Sequence, residues 1–232
     1  MLLHPAIAIA IAYVAGSMPS AYIAGKARGI DLRKHGSGNL GATNVIRVLG
    51  AKIGLVVFAF DVAKGALPVV FLPPRTVPFA PQVWIAIACG VAAILGHTRP
   101  VFLFFKRGGK GVATAAGVFL ALAPIQTLLI LIVFAVVLLT SGYVSLGSLI
   151  CASLLPVLIG VTLGPRSPVF AISVLVAVFV FWTHRANIAR LRRGEENRFG
   201  KPGTAPSRRM AAALAIGLVV VLAVLVAARF AT

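Results

Sequence analysis

Three stretches of this chain gather glycine, hydroxyl, amide and basic residues at spacings that suit an oxyanion. The first is GSGNLGATNVIR, residues 36–47. Gly36, Gly38 and Gly41 let backbone N–H groups approach a phosphate closely, and Ser37 and Asn39 sit in the same turn. Thr43 and Asn44 precede Arg47 by four and three residues, so on a short helix the three share a face. The second stretch is GHTRPVFLFFKRGGKGVAT, residues 96–114. Here Gly108, Gly109 and Gly111 surround Lys110 and open a helix. That sets backbone donors and an ammonium at a helix N-terminus, a good anion site. The third is THRANIARLRRGEENRF, residues 183–199, where His184 and Asn187 lie one helical turn apart and face the same way. It reads as a continuation of the apolar helix 167–183, with Arg185 and Glu195 structural.

Two better-known phosphate sites are excluded. Gly36, Gly38 and Gly41 spell G-x-G-x-x-G, and Asp61 follows Gly41 by 20 residues. A dinucleotide turn needs a buried strand before it. Here the preceding residues are ARGIDLRKH, basic and solvated, after a helix of membrane length. Asp61, with Lys64 three residues on, is better explained as a one-turn ion pair inside a membrane helix. The GGKG run is not a P-loop, because Phe104 stands where that motif needs glycine and Gly111 where it needs a hydroxyl. His4, His35, His97 and His184 are scattered, and Cys89 and Cys151 lie in apolar blocks. No metal and no cofactor are expected.

The elements that must position these segments are membrane helices. The 232 residues are 60% hydrophobic and only 11% charged, against about 25% for a soluble domain. Apolar blocks run over 5–25, 53–72, 77–96, 111–140, 142–164, 167–183 and 210–228. Blocks of about 18 or more such residues read as spanning helices. The first lacks a positive leader and reads as a retained helix rather than a signal peptide. Block 111–140 is divided near Pro124 into two helices, the first of them short. The expected fold is therefore all-α: a polytopic helix bundle with a seven-helix core, plus an additional C-terminal span.

The net charge of +18 would suggest nucleic acid in a soluble protein, but here it sets orientation. With residues 26–52 in the cytoplasm, 18 of the 22 Lys and Arg fall on that side and three opposite, with Lys64 inside a helix. The N-terminus is then outside and all three polar segments face the cytoplasm. Reading 111–140 as one helix would invert the charges downstream. The expected organisation is a core over 1–199, a basic Gly/Pro linker over 200–209 and an accessory helix within 210–232.

GSGNLGATN, GHTRPVFLFFKRGGKGVAT and HRANIARLRRGEE resemble, in order and spacing, the three cytoplasmic motifs of the PlsY family. GSMPSAY at 16–22 and DVAKG at 61–65 are also similar to that family's first two helices. The family comprises bacterial membrane acyl-phosphate:glycerol-3-phosphate acyltransferases. The resemblance runs to about residue 199, whereas family members usually end soon after the third motif.

The resemblance implies acyl transfer from acyl-phosphate to the 1-hydroxyl of sn-glycerol 3-phosphate at the cytoplasmic face of the bacterial inner membrane. The products are lysophosphatidic acid and phosphate, and a transient partner enzyme would supply the acyl-phosphate. It makes Ser37, Arg47, Lys110, His184 and Asn187 the catalytic set. Gly36, Gly38, Asn39, Gly41, Thr43, Asn44, His97, Gly108, Gly109 and Gly111 become substrate-binding residues. The hydroxyl proton goes either to substrate phosphate or to His184. An anion or phosphate-ester transporter would use the same bases. It predicts an inverted repeat with polar groups near the midplane, and the sequence has none. A module binding anionic lipid would need the charge but not the glycine and asparagine pattern.

Overall fold

The computed structural model describes residues 2–78 and 80–199. Among these, regular structure is helical, and the one β contact is an isolated bridge between Leu3 and Thr76. The chain forms two compact units, one ending at Pro124 and the other beginning at Ile125.

In the first unit, α1 (Pro5–Ser17) starts on a proline, with the His4 side chain accepting the Ala6 N–H at 3.2 Å. The block expected as one helix over 5–25 then breaks at Met18 and Pro19 and resumes as α2 (Ser20–Lys26). Proline lacks an N–H and disfavours helical geometry in the residue before it, which accounts for the break. Unpaired polar groups in hydrocarbon cost several kcal/mol, so the break needs partners. It finds them on α4 (Ala51–Phe71), where Lys64 Nζ donates to the Met18 carbonyl at 2.8 Å and Asp61 Oδ1 accepts the Ser20 hydroxyl at 2.7 Å.

A short helix, α3 (Ala42–Leu49), precedes α4 across a turn at Gly50. Then come α5 (Gln82–Thr98) and α6 (Val112–Leu122). Ala8 and Ala12 of α1 pack with Ile85, Cys89 and Ala92 of α5. The approach of α4 to α6 depends on absent side chains. A Cβ on Gly65 would run into the Thr114 carbonyl, and one on Gly117 into that of Val62. Small residues of this kind let helix backbones touch in lipid.

The second unit holds α7 (Pro124–Ser141, its first residue at the boundary), α8 (Val144–Leu163), α9 (Pro168–Thr183) and α10 (Arg185–Arg192). The division of 111–140 falls where expected, between Leu122 and Pro124. Ile130 and Val133 pack with Leu158, and Gln126 donates to the Thr162 hydroxyl at 2.8 Å. The expectation of an unbroken helix through residue 184 is corrected: α9 and α10 meet at a 60° bend. His184 sits at the joint with φ −98° and ψ 5°. Its backbone N–H and its Nδ1 both reach the Val180 carbonyl, at 3.0 and 2.8 Å.

Among the described residues, five apolar helical segments are long enough to cross a membrane: 5–26, 51–75, 82–103, 124–141 and 144–163. The bent pair α9–α10 makes a sixth if taken as one span. With 11 residues, α6 rises only about 16 Å, short of a 30 Å hydrocarbon core. Large apolar side chains point outward, as at Val56 (69% exposed) and Leu175 (64%). Such faces are at home in lipid. The linker and accessory helix expected beyond residue 199 lie outside the described residues.

Candidate active site

The first polar segment is a loop tied down before it reaches α3. Asp31 caps a 3₁₀ turn over Leu32–Lys34 and forms a two-point ion pair with Arg33, both contacts at 2.9 Å. Hydrogen bonds from the Arg33 side chain and then its backbone N–H hold the Asp31 carboxyl down at about 2. The Arg33 guanidinium also lies over the Tyr22 ring, 5.4 Å from its centre. The one carboxylate near this motif is therefore committed to its own loop.

Asn44, on the first turn of α3, is 1% exposed and ties that loop to the helix. Its Oδ1 accepts the Ser37 N–H at 2.8 Å, and its Nδ2 donates to the Leu32 and His35 carbonyls at 3.2 and 3.1 Å. The expectation that Asn44 shares the open face of Arg47 is corrected, because Asn44 turns inward while Arg47 and Ser37 are exposed. The Asn39 Oδ1 is buried and makes no hydrogen bond within the protein.

The second segment folds back on the end of α5. The Gly108 N–H donates to the Thr98 carbonyl at 3.0 Å, and the Gly109 N–H to that of His97 at 3.3 Å. These contacts require glycine. A Cβ on Gly108 would strike the His97 carbonyl, and one on Gly109 the His97 imidazole and the Leu40 carbonyl. Gly111 adopts φ +83° and precedes α6, so Lys110 stands at the entry to that helix as its sequence predicts. Ser20, Leu40, Lys64, His97, Gly108 and Gly109 line a small cavity under this turn. Phe102, Phe104 and Phe105 project outward just before Lys106 and Arg107.

Lys64 and His97, on the cavity wall, belong to a buried charge cluster with Asp61. Asp61 Oδ1 is 2.8 Å from Lys64 Nζ and 3.6 Å from His97 Nδ1. The expected Asp61–Lys64 pair is thus present.

In the second unit, His184 is buried with its Nδ1 on the Val180 carbonyl. A carbonyl only accepts, so at this contact Nδ1 is the donor. Asn187 donates to Glu196 Oε1 at 2.6 Å. Arg190 meets Glu196 Oε2 at 2.7 Å, and Ser145 donates to Oε1 at 3.0 Å. Glu195 pairs with Arg193 and is exposed, while Arg185 donates to the Trp182 carbonyl and stacks on that ring.

Comparison with known proteins gives the family. A family model described as glycerol-3-phosphate acyltransferase matches residues 6–194. The chain belongs to the glycerol-3-phosphate acyltransferase family. A relative of that name from Geobacter sulfurreducens is 45% identical over 199 residues, covering 85% of this chain and 99% of its own. One from Synechococcus sp. (strain CC9902) is 46% identical over 204 residues, covering 88% and 99%. Among solved structures, PlsY (YgiH), an integral membrane glycerol 3-phosphate acyltransferase in its glycerol 3-phosphate form, superposes with a TM-score of 0.78 at 38% identity. That match covers 84% of this chain and 96% of the other. The lysophosphatidic acid form gives 0.74 at 37%, covering 84% and 95%. With its apolar helices, this acyltransferase-family chain is an all-helical integral membrane protein of the PlsY fold.

Within that family fold, His97, Gly108 and Gly109 gather at one cavity, and Ser37 and Asn39 belong to one loop that Asn44 ties to α3. Sequence reasoning left out Ser20 and Glu196. The first could have been suspected from its place beside Pro19, where a broken helix exposes polar groups. The second gave no such signal, since Glu195 and Glu196 are adjacent and only the fold buries one of them.

Proposed function

We propose that this protein transfers a fatty acyl group from acyl-phosphate to the 1-hydroxyl of sn-glycerol 3-phosphate, giving lysophosphatidic acid and inorganic phosphate. The observation that carries the reading is the family match over residues 6–194, which encloses Ser37, Arg47, Lys110, His184 and Asn187. The donor is the step beyond the family name. An acyl-phosphate is a mixed anhydride with phosphate as a ready leaving group, so positioning and charge stabilisation suffice without a powerful protein nucleophile.

Arg47 and Lys110 neutralise phosphate charge, and Ser37 and Asn187 orient substrate oxygens. Gly36, Gly38, Gly41, Gly108, Gly109 and Gly111 give backbone access to glycerol 3-phosphate, with Asn39, Thr43 and His97 beside them. Asn44 acts through the Ser37 loop. The hydroxyl attacks the carbonyl carbon, the acyl–phosphate bond breaks, and the proton passes to the departing phosphate or to His184. The site faces the cytoplasm of a bacterial inner membrane, with a seven-helix core and the N-terminus outside. A transient partner enzyme supplies the acyl-phosphate.

Purified protein is incubated with acyl-phosphate and glycerol 3-phosphate, and phosphate release and lysophosphatidic acid are followed. Equimolar formation of both is expected. Product from acyl-CoA alone would overturn the donor, and movement of glycerol 3-phosphate across vesicles without acylation would favour transport.

A further inference from the structure

Asp61 is buried within α4, and its partners come from its own helix and from two other parts of the first unit. Ser20 of α2 donates to Oδ1 at 2.7 Å, and Lys64 one turn along meets the same oxygen at 2.8 Å while also holding the Met18 carbonyl. His97 Nδ1, at the end of α5, lies 3.6 Å from that oxygen. Neither His97 Nδ1 nor Asp61 Oδ2 makes any hydrogen bond within the protein. The other side of the same imidazole faces the glycine turn: Nε2 occupies the space a Cβ on Gly109 would need. The backbone of His97 holds that turn too, by accepting the Gly109 N–H. The imidazole thus lies between a buried carboxylate and the turn next to Lys110, and both it and the turn line one cavity.

A counter-ion for Lys64 would explain the pair but not this arrangement. The Lys64 ammonium could meet a carboxylate anywhere on a neighbouring helix turn, whereas this carboxylate also faces His97. We propose that Asp61 is a positioning residue for glycerol 3-phosphate: it orients the His97 imidazole, which in turn sets the Gly108–Gly109 turn against the substrate phosphate. The inference rests on the acyltransferase reading above. A carboxylate facing Nδ1 favours the tautomer with the proton there, which fixes ring orientation and leaves Nε2 toward Gly109. Asp61 itself touches no substrate.

The test separates positioning from plain stability. Asp61→Asn alone would leave Lys64 as an unpaired buried charge, so Asp61→Asn is combined with Lys64→Met. The KM for glycerol 3-phosphate should rise about tenfold. The KM for acyl-phosphate should stay near wild type, while the melting temperature in detergent falls, because Lys64→Met withdraws a donor from the Met18 carbonyl. His97→Gln leaves the ion pair intact and cuts the link from the other side. It should give the same selective rise, and adding the Asp61/Lys64 changes to it should raise KM little further, as expected for groups acting in series. If the double variant does not insert, Asp61→Glu decides by the same selective rise, since it keeps a carboxylate for Lys64 while displacing it from its place beside His97. An unchanged KM for glycerol 3-phosphate, equal losses for both substrates, or full additivity overturns the inference. Wild-type protein that does not use glycerol 3-phosphate takes down the functional reading and this inference with it. Active wild type with an unaffected variant overturns the inference alone.

Discussion

The side-chain carbonyl of Asn44 accepts the backbone N–H of Ser37 at 2.8 Å, across seven residues of chain. The bond fixes where Ser37 sits, because the Asn44 amide also holds the Leu32 and His35 carbonyls on either side of the 3₁₀ turn's end. One buried amide thus shapes the glycine loop from its helix.

Asn44→Ala should therefore behave as a loop mutation. It strands a buried donor and acceptors, at a cost of about 1–3 kcal/mol. Asn44→Asp should be worse, since an oxygen would then face two carbonyls where an amide N–H₂ now donates. The check is a melting curve alongside kinetics. An Asn44→Asp protein as stable and active as wild type would remove Asn44 from this role.

Lys110→Ala should lower kcat/KM far more than it lowers stability. One charge-assisted bond to phosphate is worth about 1.5–3 kcal/mol, or roughly ten- to 150-fold. Arg47→Ala should be at least as harmful, since a guanidinium can hold two oxygens at once. Steady-state kinetics in detergent decides. Wild-type kcat/KM in a folded Lys110→Ala protein would take that residue out of the site.

Gly109→Ala tests the turn without touching charge. The added methyl meets the His97 imidazole on one side and the Leu40 carbonyl on the other. A carbonyl on the backbone yields less readily than a side chain, so the turn itself must shift. The expected result is a rise in the KM for glycerol 3-phosphate of tenfold or more, on the scale of about 1–3 kcal/mol for overpacking. A KM within twofold of wild type would show that the turn lies away from the substrate.

These cases show what the residues alone revealed. Hydropathy blocks gave the helices, and Pro124 gave the division between α6 and α7, because both signals are local. The Asp61–Lys64 pair was legible from helical spacing. The break at Met18 was signalled by Pro19, but the length of the apolar block outweighed it. The bend at His184 and the burial of Asn44 were not legible. Each depends on a side chain competing for a backbone group several residues away, which periodicity does not report. Glu196 is the same case: its role comes from Ser145, Asn187 and Arg190, brought together only by the fold.

Glu196→Ala should consequently act on the second unit as a whole. It removes the shared acceptor of Asn187, Arg190 and Ser145, so loss of stability should accompany loss of activity. The partly buried Arg190–Glu196 pair and two further hydrogen bonds put the destabilisation on the order of 2–4 kcal/mol. Glu195→Ala, at an exposed pair, should be within about 0.5 kcal/mol of wild type. Equal melting temperatures for the two variants would contradict the assignment.

Removal of the chain after Lys201 should leave acyl transfer within a few-fold of wild type. The family match ends at residue 194, and the five proposed catalytic residues precede it. The last described residues are already anchored within the second unit. The Phe199 N–H donates to the Gly142 carbonyl at 2.6 Å, and Arg198 donates to the Tyr143 hydroxyl at 3.1 Å with its guanidinium 5.3 Å from that ring. A cut after Lys201 keeps both contacts, whereas one after Asn197 loses them. The sequence beyond is a Gly/Pro-containing basic stretch and then an apolar run over 210–228, without internal charge, that offers no group for the chemistry. Comparing the two truncations separates anchorage from catalysis: the shorter protein should melt earlier, and the longer one should retain its kcat. A folded, inserted protein cut after Lys201 that no longer acylates glycerol 3-phosphate would assign the missing segment a part in the site.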